Sequence, residues 1–149
     1  MNNTLLFSSA SNPAPTAASL SEKTVEDEVR KQVWGLLSRV YQPAQASERR
    51  ADQRYPLSQL VYLTPVGPDG FSHAGEPLIV VGKHVSERGL GFFHQQPLPH
   101  RRMIDSMELD RGDWVAFLID LRWCRFTRHN WYESGGRLLQ AVPSPVYAA

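Results

Sequence analysis

His84-Val85-Ser86-Glu87-Arg88-Gly89-Leu90-Gly91-Phe92-Phe93 follows one apolar run, Leu78-Ile79-Val80-Val81, and closes on another. Between the runs sit small and polar side chains and two glycines, Gly89 and Gly91. That pattern reads as strand, tight turn or bulge, strand. A glycine so placed lets backbone or a ligand come close, or supplies a positive φ.

Downstream the same texture repeats. Strands are expected over 57–63, 76–83, 90–95, 102–109, 114–127 and 131–142. Pro68-Asp69-Gly70, Asp110-Arg111-Gly112-Asp113 and His129-Asn130 read as turns. The clearest strand is 114–127. Alternation puts Val115, Phe117, Ile119, Leu121 and Trp123 on one face, with Asp120 and Arg122 on the other. Gly135-Gly136 suggests a bulge in the last strand. Strands in series without interleaved helices imply a mainly β fold, an antiparallel barrel or sandwich. Trp114, Trp123, Trp131 and Tyr132 read as barrel core and cross-strand pairs, and Cys124 as a small side chain beside that core.

Upstream, Glu48-Arg49-Arg50-Ala51-Asp52-Gln53-Arg54-Tyr55-Pro56 carries three arginines in six residues and no helical period. Its proline pushes Tyr55 into extended backbone. Before it, Val25, Val29, Val33, Leu36 or Leu37, and Val40 recur at threes and fours. They predict a helix over 21–42, with Glu26, Asp27 and Glu28 in its first turn. Packing on the barrel is its expected role; dimerisation or partner docking is the alternative. Residues 1–20, rich in Ser, Ala, Asn and Pro, bury too little to offset ordering. The organisation expected is a flexible segment 1–20, a helix 21–42, a barrel 43–142 and a tail 143–149.

The two motif-bearing stretches together resemble the PilZ domain family. Arg50-Ala51-Asp52-Gln53-Arg54 matches its RxxxR motif. His84-Val85-Ser86-Glu87-Arg88-Gly89 matches [DN]xSxxG except at His84. Their order, a spacing of roughly 30 residues and the β-rich context carry the likeness, which spans about 47–142. It implies a six-stranded antiparallel barrel with an N-terminal helix. It also implies binding of cyclic di-GMP, whose phosphates and guanines Arg50 and Arg54 would hold. Arginine suits that task, since its planar fork binds phosphate in pairs of hydrogen bonds and stacks on bases. Arg49 would assist, and Ser86 and Gly89 would lie beneath the clamp. A neutral His84 offers one acceptor where a carboxylate offers a pair.

The functional expectation is a sensor that relays the messenger's level to a protein partner by ordering the arginine segment. One alternative is a PilZ-like scaffold that has lost the ligand and works by protein contact. Another is an OB-like nucleic-acid-binding barrel, which a net charge of +1 argues against. No catalytic residue is expected: no acid–base pair, no GxSxG around Ser86 and no metal-ligand spacing among the five histidines and one cysteine. No cofactor is expected either. Asp105, Glu108, Asp110, Asp113 and Asp120 read as solvent-facing. No apolar run approaches the ~20 residues of a membrane span, and the single cysteine fits a reducing compartment, so a cytoplasmic protein is expected.

Overall fold

The computed structural model describes residues 17–40, 53–70, 72 and 74–148. Helix α1 spans Ala17–Val40. It begins ahead of the expected Ser21 or Thr24 because Ala17-Ala18 and Leu20 favour helix. The acidic Glu26, Asp27 and Glu28 therefore lie along its length, and no acid occupies its first turn. Val29, Val33, Leu36 and Leu37 are buried, on the expected stripe. Each such burial stabilises by about 1.5–3 kcal/mol. The helix packs on the barrel.

Among the described residues seven strands follow: β1 (Tyr55–Pro56), β2 (Leu60–Pro65), β3 (Leu78–Val85), β4 (Gly89–His94), β5 (Arg102–Glu108), β6 (Trp114–Phe126) and β7 (Tyr132–Ala141). All pairings are antiparallel. The order β3-β2-β5-β6-β7-β4, with β4 returning to pair with β3, makes a closed six-stranded barrel. β1 adds a two-residue step on β3 beyond the end of β2. Closure leaves no long free edge. The interior holds Val61, Leu63, Val80, Leu90, Phe92, Met103, Met107, Val115, Phe117 and Ile119, continuous with the helix stripe.

Three one-residue register shifts shape the barrel. Lys83 is extra on β3, between the pairs Gly82↔Phe92 and His84↔Gly91. Arg122 is extra on β6, between Leu121↔Gly136 and Trp123↔Gly135. Leu139 is extra on β7, opposite Leu118 and Ile119. The bulge expected at Gly135-Gly136 thus has its surplus residue on the facing strand. Its effect is to reverse the alternation after Leu121, because one added residue flips the following side chains. Trp123 therefore turns outward, 39% exposed, rather than joining the interior row. Cys124 beyond it is exposed, not beside the core. Trp114 and Tyr132 also stay outside the core cluster; Trp114 meets Tyr62 and Tyr132 meets Phe126, each edge to face.

The tail expected over 143–149 is not without regular structure: a short helix α2 (Pro145–Ala148) lies against β2 and β5. Ser144 Oγ donates to Ser106 Oγ at 3.0 Å. That end accompanies a second apolar cluster of Val66, Ile104, Ala116 and Leu118, with Leu139 and Val142. These strands are apolar on both faces, so the outer face also needs cover.

Nor do the strand carboxylates all face solvent. Asp120 is 3% exposed. It accepts from Arg101 Nε at 2.8 Å and Arg122 Nε at 2.7 Å, with Arg102 3.8 Å away. Asp105 shares the interior face of β5 with Met103 and Met107 and is fully buried. Neither of its oxygens has a hydrogen-bond partner among the described residues. Burial pushes its carboxyl well above the usual range; the Phe117 backbone opposite offsets part of that without reaching hydrogen-bond geometry. Alternation marked Asp105 as inward only if Met103 and Met107 were also read as core. Among the described residues no helix is long and apolar enough to cross a membrane.

Candidate ligand-binding face

The turn at 86–88 joins β3 to β4 and closes on itself. Ser86 N–H donates to the Gly89 carbonyl at 2.9 Å. Ser86 Oγ accepts from the Gly89 and Arg88 amides at 3.1 and 3.3 Å. The hydroxyl thus serves the turn, as Ser does wherever its oxygen can cap nearby N–H groups. Gly89 is needed for a similar local reason: a Cβ there would lie 2.9 Å from the Gly136 carbonyl oxygen.

The same turn anchors the helix. Glu87 accepts from Arg30 Nε at 3.2 Å and from Trp34 Nε1. Trp34 also meets Tyr55 edge to face, with ring centroids 5.7 Å apart. Helix, turn and the end of the arginine stretch therefore share one junction.

β1 brings the two motif-bearing stretches together. Tyr55 pairs with Val85 and Pro56 with His84, so Arg54, one residue before Tyr55, reaches the second motif past Val85, close enough to act on His84. Its charge reaches that ring. Burial pushes the His84 pKa down, and the neighbouring Arg54 and Lys83 charges push it further. Both influences favour the neutral imidazole. Arg49 and Arg50 lie outside the described residues.

Across the barrel's outer surface, one row of paired residues runs Pro56, His84, Gly91, Gly135, Trp123. Its centre is bare backbone, and the two rings lie over it. A Cβ at Gly91 would come within 2.5 Å of the His84 ring, and one at Gly135 within 2.5 Å of the Trp123 indole. Here glycine is required by close approach. The next outward row is Val81, Phe93, Glu133, Arg125. Glu133, 4% exposed, accepts from Arg125 Nη2 at 2.9 Å through one oxygen and from Lys83 Nζ through the other. Those two cations hold its carboxyl below the usual range even against its burial. Lys83 also sits over the Phe93 ring and Arg125 over Trp123, at 5.4 and 5.9 Å from the ring centres.

The arrangement is an outer face on which two flat rings cover a pair of glycines, with three cations (Arg54, Lys83, Arg125) and the Glu133 carboxylate nearby. It is suited to a flat, anionic, hydrogen-bonding molecule. Glu133, Arg125 and Trp123 were not legible as neighbours of His84. They come from strands far along the chain, and the Arg122 bulge that aims Trp123 outward left only the Gly135-Gly136 pair as a sequence signal. No group of three or more metal-ligating side chains converges among the described residues. No protein-family model, curated protein or solved structure matches this chain.

Proposed function

We propose that this protein is a PilZ-type sensor that binds cyclic di-GMP on the outer face around His84. The observation that carries the reading is the β1–β3 pairing of Pro56 with His84. It sets the last arginine of RxxxR beside the second motif, on a face where Arg54, Lys83 and Arg125 outnumber the single carboxylate of Glu133. In this reading Arg50 and Arg54 clamp the ligand's phosphates and bases, assisted by Arg49, while His84 and the turn carrying Ser86 and Gly89 border a guanine. Binding orders the arginine segment over the face. The Tyr55–Trp34 contact and the Glu87 anchor carry that change to α1, and from there to a protein partner in the cytoplasm.

Calorimetry with cyclic di-GMP tests this directly. Arg50→Ala and Arg54→Ala should each weaken binding at least about tenfold, since a charge-assisted hydrogen bond contributes about 1.5–3 kcal/mol. Circular dichroism should stay unchanged, because Arg54 is exposed. Equal affinity in wild type and both variants would refute the clamp. One observation favours a second reading, a scaffold without ligand: Ser86 Oγ is already engaged by the turn amides. Complete absence of cyclic di-GMP binding would select it.

A further inference from the structure

His84 and Glu133 divide the acceptor chemistry of this face unequally. A guanine edge presents N1–H and the exocyclic N2–H side by side. Two adjacent acceptors meet both; a neutral imidazole supplies one. The carboxylate whose charge is felt at His84 is Glu133. It lies on the same outward surface, two residues along β7 from Gly135.

We infer that Glu133 is the guanine-reading residue of this face, supplying the paired acceptor that position 84 lacks. The inference rests on the cyclic di-GMP reading above and names its specificity determinant. With no ligand, Lys83 and Arg125 occupy Glu133's two oxygens. Both are long side chains that reach water, with side-chain exposures of 36% and 68% against 5% for Glu133. Their tips can therefore swing aside while the carboxylate stays put. A ligand carrying both a phosphate and a guanine allows an exchange of partners. Phosphate oxygens take over the Lys83 and Arg125 donors, and the guanine N1–H and N2–H donors take over the Glu133 oxygens. Each charged group leaves one charge-assisted partner for another, so none is stranded unpaired beneath the ligand. A ligand with phosphates but an adenine base places its N1 acceptor against Glu133, so it meets an unpaired carboxylate and is rejected. The indole of Trp123, beside Arg125, borders the same place.

The test is calorimetry of wild type and Glu133→Gln with cyclic di-GMP and with its hypoxanthine analogue, which lacks the N2 amino group. Wild type should bind the analogue about tenfold more weakly, the effect of one lost hydrogen bond to a charged acceptor. Glu133→Gln should bind cyclic di-GMP at least about tenfold more weakly and discriminate little, since an amide has a single acceptor oxygen. Adding His84→Asp to Glu133→Gln should restore discrimination by placing a carboxylate on the same face. A wild type that binds both ligands equally overturns the role of Glu133 while leaving the ligand reading intact, and it needs no variant to fold. A folded Glu133→Gln that keeps full affinity and discrimination overturns it too. A wild type that binds no cyclic di-GMP overturns both readings together.

Discussion

Replacing Asp105 with Asn should change how stability depends on pH, by an amount that follows from its position. The carboxyl is fully buried among Met103, Met107 and Phe117, and among the described residues neither oxygen has a hydrogen-bond partner. Its folded-state pKa is raised by burial. Above about pH 4 the unfolded chain therefore releases this proton while the folded chain keeps it. The folded state then binds one more proton than the unfolded state, so stability falls as pH rises, by about 1.4 kcal/mol per pH unit, until the folded-state pKa is reached. Asp120 and Glu133 act in the opposite sense. Their arginine and lysine partners hold their pKa values down, so they lend stability that is lost as pH falls below about 4. The measurement is urea unfolding of wild type and Asp105→Asn at pH 5, 6 and 7. Asn keeps the size and polarity but cannot ionise, so the variant should gain on wild type as pH rises, by up to about 1.4 kcal/mol per unit for as long as the folded carboxyl keeps its proton. Asp105→Val, which also removes the unpartnered polar atoms, should be more stable than wild type at pH 7 by about 1–3 kcal/mol, less any strain from the added volume. Parallel pH profiles for wild type and Asp105→Asn would refute the argument, by showing that the carboxyl is ionised or hydrated in the folded barrel.

Glu87→Ala should loosen the helix without unfolding the barrel, since it removes the carboxylate that accepts from Trp34 Nε1 and Arg30 Nε across the junction, leaving Arg30 only its Asp27 contact within the helix; a loss of about 1.5–3 kcal/mol is expected, read as faster amide exchange in α1 and a red-shifted Trp34 emission, and unchanged exchange would show that Val29, Val33, Leu36 and Leu37 hold the helix alone. His94 gives a further pH effect. Burial lowers its pKa, and its ring bridges the Gln96 carbonyl and Ser134 Oγ at 2.7 Å each. The unfolded chain takes up this proton first as pH falls below about 6.5, so wild type should lose stability there and His94→Asn should lose less; identical profiles would count against it.

Much of the architecture was legible because it is written in local periods. Residues 114–127 alternate, as do the runs around 78–85 and 102–109, so six strands emerge within a few residues of their observed bounds. The helix stripe through Val29, Val33, Leu36 and Leu37 repeats at 3.6 and packs where such a stripe must. Turn chemistry was equally local: Asn130, expected in the last hairpin, has a positive φ of 61°.

What only the tertiary structure decided concerns register, closure and company. A bulge is a property of two strands, so the surplus Arg122 could not be read from β6 alone, nor its reversal of Trp123 from inside to outside. Asp105 looked like surface because its type favours water, yet its strand position between Met103 and Met107 overrules that preference. The sequence by itself marked His84 and the arginines as a place worth attention, through residue type and spacing. Long-range antiparallel pairing then set Glu133 and Trp123, some 40–50 residues further on, on the same face as His84. Side-chain periods specify which face a residue wants, but strand pairing across a closed barrel specifies which residues share it.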